Sequence, residues 1–146
     1  MNNLVNLEQV QQYTITPEEQ KAVLKLASAS ISELQDLIIR NNVQAGWYTD
    51  LETGELRHRQ PLDHIALIHS EVSEACDGVR KDLMDDKLPH RKMEEVELAD
   101  AIIRILDMAG ERNLDVAGAL VEKFIYNKTR LDHKLANRKA DGGKRL

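Results

Sequence analysis

The chain is predicted to fold as one all-α domain, residues 1–146, and three features of its composition support this. At 146 residues it is near the commonest domain size and long enough to bury a core. Its 42% hydrophobic and 31% charged residues are typical of a globular protein. With seven Gly, three Pro and few aromatic residues (one Trp, one Phe, three Tyr), the sequence favours helices around an aliphatic core over strands joined by turns.

The first strong helix signal follows a weakly patterned beginning. Residues 1–15 have no clear periodicity and are predicted to form a loose N-terminal arm. Thr16-Pro17-Glu18-Glu19 combines a capping hydroxyl, a Pro at the first helical position and acids in the first turn, so a helix is expected from there to about residue 41. Ser30-x-x-Glu33 also fits a capping box, and the helix could restart at that point.

Three further helices follow a polar connection, residues 42–60, which holds the single tryptophan, Trp47. We expect these helices over about 61–82, 91–112 and 115–133. Asn113 ends the second of them and Asp115 can cap the third. Residues 135–146 form a basic tail. Five of the last thirteen residues are Lys or Arg, so this tail could close over a bound triphosphate.

The charge balance argues against several classes of partner. With 25 acidic and 20 basic residues the net charge is −5, which gives no basic surface for nucleic acid or for an anionic membrane. No segment reaches the ~20 apolar residues of a membrane span, so a soluble, cytoplasmic protein is expected. The single Cys76 forms no intrachain disulfide, and its place on an apolar helix stripe predicts a buried structural thiol.

Two acidic repeats, Glu71-x-x-Glu74 and Glu97-x-x-Asp100, stand inside the two most apolar predicted helices. Carboxylates three residues apart lie on one face of a helix. Because a buried unpaired carboxylate is costly, such residues normally bind a metal or pair with a cation. Four oxygen ligands from two neighbouring helices would suit Mg²⁺, and Mg²⁺ suggests phosphate chemistry.

Helical periodicity sharpens this prediction. In the helix at 61–82, both glutamates fall beside the main apolar face, which comprises Ile65, Ile68, Val72, Ala75, Cys76, Val79 and Leu83. The helix at 91–112 is apolar almost all round and is expected at the centre of a bundle. Its polar residues are confined to one narrow wedge: Glu97, Asp100, Arg104 and Asp107. That wedge must meet water, a cation or a binding site.

The last predicted helix carries a basic-polar stripe. Lys123, Asn127, Arg130 and Lys134 are spaced i, i+4, i+7, i+11, so one continuous helix would align them. Asn127 falls within an apolar face and should point inward. The stripe is either a phosphate clamp facing the acidic pocket or an ordinary basic helix end that complements the helix dipole.

The sequence also allows other interpretations of the two acidic pairs. Both pairs could be solvated charges on amphipathic helices. A di-iron carboxylate site normally needs Glu-x-x-His on two helices, and here the corresponding positions are Glu74 and Asp100, which argues against iron. Neither histidine of the first acidic helix has metal-ligand spacing, and His69 is expected at the surface.

The segments His69-Ser-Glu-Val-Ser-Glu-Ala75 and Glu94-Glu-Val-Glu-Leu-Ala-Asp100 resemble the E-x-x-E … E-x-x-D signature of the all-α nucleoside triphosphate pyrophosphohydrolases, with 22 residues between the two acidic pairs. Tyr126-Asn-Lys-Thr-Arg130 and the closing Gly-Gly-Lys are most similar to the single-domain, MazG-like branch. The resemblance covers roughly residues 30–146.

The resemblance implies a four-helix-bundle protomer that forms a homodimer or homotetramer. It also implies hydrolysis of (deoxy)nucleoside triphosphates to monophosphate and pyrophosphate, with Mg²⁺ as cofactor and Mn²⁺ as the alternative ion. By position, the metal ligands would be Glu71, Glu74, Glu97 and Asp100, and the groups near phosphate would be Lys123, Asn127 and Arg130.

Two roles are assigned from chemistry. Glu71 is the candidate to orient or deprotonate the attacking water, since no Ser or Cys nucleophile with a neighbouring base is evident. Trp47 could stack on the base or pack under the connecting loop. The rival function is a non-catalytic helical interaction or regulatory protein with a vestigial metal site. The sequence leaves open the base, the sugar and the phosphorus attacked.

Overall fold

The computed structural model describes residues 5–12 and 14–144. Its helices are α1 (Leu7–Gln12), α2 (Pro17–Gln44), α3 (Pro61–Lys81), α4 (Met93–Glu111), α5 (Val116–Thr129) and α6 (Leu135–Lys139), with a 3₁₀ turn at Leu131–His133. Across these residues the only strand-like pairing is two isolated bridges, Thr49 with Leu56 and Met84 with Lys92. The all-α prediction is therefore confirmed.

The N-terminal part of α2 is fixed by the predicted cap. The Thr16 hydroxyl accepts a hydrogen bond from the Glu19 backbone N–H at 3.2 Å, and the Glu19 carboxylate accepts one from the Thr16 N–H at 2.8 Å. The alternative restart at Ser30 is wrong, because α2 continues without a break through that residue and its backbone N–H groups are already paired along the helix. Within the predicted loose arm, Leu7–Gln12 form the short α1, whereas residues 1–4 and 13 lie outside the described part of the chain.

Helix α4 packs against both α3 and α2, and α5 packs mainly against α2. Two glycines permit the close approach of these helices. A Cβ at Gly78 would lie 3.0 Å from the Glu94 backbone nitrogen, and one at Gly110 would lie 2.9 Å from the Ile39 Cβ. The first contact brings α4 close to α3, and the second brings α4 close to α2.

The core is small and rich in alanine. Among the described residues, its buried apolar residues are Ile38, Tyr48, Ala75, Ala101, Leu106, Ala109 and Ala117. The predicted main apolar face of α3 is largely exposed, with Val72 at 43% and Val79 at 60%. Cys76 is exposed with them, so the prediction of a buried thiol is wrong. The reason is that α4 covers the neighbouring face of α3, the one that carries Glu71.

The C-terminal region departs most from expectation. Helix α5 begins at the predicted Asp115 cap, whose carboxylate accepts the Gly118 N–H at 2.7 Å, but it ends at Thr129 and not near residue 133. Arg130 is extended (φ −65°, ψ 127°) and pairs with Asp132, Nε to Oδ1 at 2.9 Å. The predicted tail begins with the helix α6, and residues 145–146 lie outside the described part.

None of the helices described here combines the length and the apolar character that crossing a membrane would need.

Candidate metal centre and adjoining cavity

Helices α3 and α4 bring three of the four predicted carboxylates together. Glu71 on α3 and Glu97 and Asp100 on α4 each offer an oxygen, and these oxygens lie within 4.8 Å of one another. Glu71 is 6% exposed, Glu97 is 8% exposed and Asp100 is half-buried. The exposed Glu74 stays outside this group of three, which we call the acidic cluster. Solvated acids on amphipathic helices, one of the earlier alternatives, do not describe such buried groups.

Negative charge in the acidic cluster is not fully compensated. Burial raises the pKa of Glu97 to about 7, and the nearby carboxylates of Glu74, Glu71, Asp100 and Asp85 add to the effect. Burial, with Glu71, also raises the pKa of Asp100. Like charges this close favour binding of a proton or of another cation.

One cation of the protein itself reaches the acidic cluster. The Arg104 Nε donates to Glu71 Oε1, and the Arg104 side chain is 40% exposed whereas that of Glu71 is 8% exposed. Arg104 therefore neutralises one carboxylate from the solvent side. Its pairing uses Oε1, so Oε2 of Glu71 is the oxygen left for a ligand or a water.

A cavity of about 180 Å³ adjoins the acidic cluster. Its lining residues are Asn42, Trp47, Arg59, Asp100, Ile103, Arg104 and Asp107. Asp100 belongs to both features, and Arg104 connects them, so a ligand in the cavity would reach the acids directly. The structure thus places Trp47, for which base stacking or packing under the loop was expected, on the wall of a cavity that Asp100 also lines.

The wall of the cavity is built from α2, α4 and the loop between α2 and α3. The Arg59 guanidinium lies 5.7 Å from the Trp47 ring centroid and 5.6 Å from that of Tyr48, within the range of cation–π attraction. Its Nη2 also donates to the Trp47 carbonyl at 3.2 Å. Trp47 itself is 63% exposed and leaves most of its surface accessible.

Behind this wall two buried polar groups lie next to each other. The Tyr48 hydroxyl and Asp107 Oδ1 have no partner other than each other, and Tyr48 is 4% and Asp107 7% exposed. Burial raises the pKa of Tyr48, and the adjacent Asp107 carboxylate raises it further. Buried polar atoms are normally paired, and here the hydroxyl donor and the carboxylate acceptor can pair with each other.

A second buried pair holds the loop in place. The His64 Nε2 and Glu111 Oε2 atoms are 2.5 Å apart, and both side chains are at most 4% exposed. Glu111 Oε1 also accepts the Arg59 backbone N–H at 2.7 Å. This contact fixes Arg59 at the edge of the cavity. His69 is exposed, as predicted.

The basic-polar stripe does not form as one surface. Because α5 ends at Thr129, Arg130 and Lys134 leave the helix, and the Lys134 ammonium instead donates to the Lys128 carbonyl at 2.7 Å. Lys123 lies 4.9 Å from the Tyr126 ring centroid. The half-buried Asn127 has its Oδ1 buried without a partner, which agrees with its predicted inward direction.

Within one protomer these α5 residues do not reach the acids. Lys123, Asn127 and Arg130 contribute neither to the acidic cluster nor to the lining of the adjoining cavity among the described residues. The α6 helix that begins the basic tail packs on the 3₁₀ turn. In this protomer the stripe therefore does not form a clamp opposite the acids.

Sequence reasoning missed several groups of the site. The helical pattern could have identified Arg104 and Asp107, because they share the polar wedge with Glu97 and Asp100. No sequence pattern indicates Arg59 or the pair of His64 with Glu111, since these contacts join residues 47 to 52 positions apart through the path of the loop.

The donor set fits a hard divalent cation. In an octahedral Mg²⁺ site with bonds of about 2.1 Å, opposite oxygens lie about 4.2 Å apart. Only one pair of three ligand oxygens can be opposite, and adjacent oxygens lie about 3.0 Å apart, so the three oxygens within 4.8 Å would move closer together around a bound ion. Three carboxylates would also leave positions for water or phosphate oxygens, as Mg²⁺ prefers.

The comparisons with known proteins add no family. No protein-family model, no curated protein and no solved structure matched the chain significantly.

Proposed function

We propose that the protein is a Mg²⁺-dependent nucleoside triphosphate pyrophosphohydrolase, which converts a (deoxy)nucleoside triphosphate to the monophosphate and pyrophosphate. The observation that carries the proposal is that the acidic cluster lies beside a cavity. The lining of this cavity includes Asp100, which belongs to the cluster, and Arg104, which contacts it. Metal ligands and a space for a ring thus adjoin each other, as a nucleotide requires. A role in clearing the cytoplasmic nucleotide pool belongs to the same proposal.

In this proposal Glu71, Glu97 and Asp100 hold the cation, and Glu74 extends the site at its exposed edge. The raised pKa of Glu97 supports this role, because bound Mg²⁺ would replace the proton that the crowded acids favour. The cation would supply charge neutralisation at the phosphates and a bound water. Mn²⁺ has similar preferences for oxygen ligands and could substitute.

The protein groups then have separate tasks. Glu71 would accept a proton from the attacking water through whichever of its oxygens does not hold the cation. Arg104 lies between the acids and the cavity, where its guanidinium could pair with a phosphate once the cation compensates Glu71. Trp47 would lie against the base. No covalent intermediate is needed, because phosphoryl transfer depends mainly on positioning and charge stabilisation.

Homo-oligomerisation is part of the proposal, and exposed apolar faces support it. On α3, Ile65, Val72 and Val79 are exposed, and on α4 the same holds for Leu98 and Ile102. Helix faces of this kind normally pack on a partner. A four-helix-bundle protomer in a homodimer or homotetramer could cover them and could bring Lys123, Asn127 and Arg130 of a second copy towards the phosphates.

The same exposed faces favour a second candidate, a non-catalytic helical interaction protein with a vestigial metal site. The two functions differ in their dependence on metal and nucleotide. An interaction protein would release no pyrophosphate from any triphosphate, whereas the proposed enzyme must do so.

Pyrophosphate release should be measured with all common and damaged nucleoside triphosphates, with Mg²⁺ and with excess chelator. The proposal expects release from at least one triphosphate, only when Mg²⁺ is present. Absence of release from the whole set would contradict it and favour the interaction protein.

A further inference from the structure

The protomer exposes more surface than a folded monomer of its mass. A folded monomeric protein of 16.6 kDa exposes about 7,600 Å², whereas this chain exposes 11972 Å². The excess is about 4,400 Å², to which the sparsely packed helices α1 and α6 contribute. A standard protein–protein interface covers about 800 Å² on each partner, and obligate interfaces cover more. Even half of the excess would therefore be enough for an obligate interface.

The core of the protomer is small for a chain of this length. Four of its seven buried apolar residues in the described part of the chain are alanines, whereas thirty large apolar side chains are exposed there. The stability of a domain is a small surplus of apolar burial over the lost chain entropy. This protomer therefore needs a partner in order to fold stably. A second copy is the partner that is present wherever the chain is made.

On α3 the exposed apolar residues form one continuous stripe. Ile65, Val72, Cys76 and Val79 are all exposed. At about 100° per residue they lie within about 60° of one another around the helix axis. No charged residue of α3, a helix that is described from end to end, lies in this sector. We call these four residues the thiol stripe.

The chemistry of the thiol stripe suits contact with another copy of itself. A symmetric dimer interface brings the same surface of both copies together. Charged faces would then place like charges opposite each other, whereas the thiol stripe carries no charge and only small, apolar side chains. An anionic membrane is a poor alternative occupant, because the net charge of the chain is −5.

We propose that the thiol stripe is part of an obligate interface between copies of this chain, and that the Cys76 thiol is covered in the assembled protein. The excess surface supplies the area, the small core supplies the need, and the uncharged stripe supplies the contact. The proposal specifies the homo-oligomer of the proposed function and depends on no metal or nucleotide.

The first test uses the full wild-type chain. Light scattering should give a mass of at least twice 16.6 kDa at micromolar concentration. Cys76 is the single thiol, and it should react with an aromatic disulfide reagent at least about tenfold more slowly than after unfolding. A folded monomer, or an oligomer whose thiol reacts as fast as in the unfolded chain, would overturn the proposal.

A charge placed in the thiol stripe locates the interface. Val79→Glu should lose the assembly, so its mass should fall to 16.6 kDa and Cys76 should lose its protection. The matched control Ala66→Glu adds the same charge at an exposed residue of α3 outside the stripe and should keep both. Unchanged mass and protection in Val79→Glu would overturn the proposal. If that variant does not fold, the wild type decides, because its melting temperature must rise with protein concentration.

These outcomes are separable from the enzymatic proposal. A folded monomer that releases pyrophosphate would retain the enzyme and remove the interface. An oligomer with a protected Cys76 that releases no pyrophosphate would retain the interface and remove the enzyme.

Discussion

Two charged regions of the molecule differ in how their charges are satisfied. The acids of α3 and α4 lie in the middle of two helices that pack closely at Gly78, and of the three clustered carboxylates only Glu71 is paired with an arginine in the described part of the chain. The cations after Thr129 lie beyond a helix end, where the backbone can turn. There Arg130 finds Asp132, and Lys134 finds a carbonyl.

The difference shows which parts of a fold can hold a preformed binding site. Rigid helices keep like charges close together although they repel, so the region needs a cation from outside. Beyond a helix end the backbone can turn until each charged side chain has a local partner, so these side chains need no external ligand. The acids, not the basic stripe, are therefore the part of this protomer poised to bind.

Loss of the acidic cluster should have the largest effect. Asp100→Asn is expected to lower kcat/KM for pyrophosphate release by about 10²-fold or more, because it removes a ligand that positions charge against the phosphates. The same loss is expected for Glu74→Gln, if this exposed residue completes the site. Melting temperatures should show that both variants remain folded.

The matched control is Glu95→Gln, on the exposed side of α4, which should retain the activity. Full activity in both Asp100→Asn and Glu74→Gln would show that these acids are not metal ligands of the reaction.

The second effect is a dependence of stability on pH in protein freed of metal by chelation. The pKa of Glu97 is raised from 4.5 to about 7, so between these values the folded state holds a proton that the unfolded state has released. The free energy of unfolding should therefore fall as the pH rises from 5 to 8, by about 3 kcal/mol. Asp100, with its raised pKa, contributes in the same direction.

Denaturant unfolding at several pH values measures this slope. Glu97→Gln removes the titrating group and should flatten the curve, and added Mg²⁺ should restore stability at pH 8 in the wild type. A stability of the chelated wild type that rises over this pH range would be incompatible with crowded, uncompensated acids.

A smaller effect is expected for Arg104→Met. Without the guanidinium, Glu71 keeps its burial and loses its cation, which should destabilise the metal-free protein by about 1–2 kcal/mol. This is less than for a fully buried pair because Arg104 is 40% exposed. Bound Mg²⁺ should cancel most of the loss, so thermal unfolding is compared with and without it. Equal destabilisation under both conditions would mean that Arg104 and the cation do not serve the same carboxylate.

The smallest effect is expected for the basic residue Lys123 on α5. Lys123 is exposed, so Lys123→Ala should change the free energy of unfolding by less than about 0.5 kcal/mol. It should also leave the affinity for Mn²⁺ unchanged, as calorimetry can test. A clear loss of Mn²⁺ binding would place α5 at the acids after all.

The parts of the fold that depend on local pattern could be predicted. Helix α3 and the starts of α2 and α5 follow from caps, Pro positions and periodicity, and the narrow wedge on α4 indicated that its acids lie together. The end of α5 could not be predicted in this way, because a pairing of Arg130 with Asp132 competes with the continuing helix. The apolar stripe of α3 was a poor guide to burial, since burial depends on which face α4 covers.

The candidate site was predictable only where it lies on helices. Glu71, Glu97 and Asp100 follow from three-residue spacing, whereas the cavity depends on how the loop after α2 is held by Glu111. That contact joins residues 52 positions apart and leaves no periodic signal. The pairing of Asp107 with the Tyr48 hydroxyl likewise becomes visible only when the surrounding side chains are in place.

A Mn²⁺ titration followed by electron paramagnetic resonance can show whether the buried acids of α3 and α4 bind a divalent cation. We expect saturable Mn²⁺ binding by the wild type and by Glu95→Gln, competition by Mg²⁺, and loss of the bound signal in a Glu97→Gln, Asp100→Asn double variant. Saturable binding of the same affinity in that folded double variant, or no binding by the wild type, would show that these acids do not hold the ion.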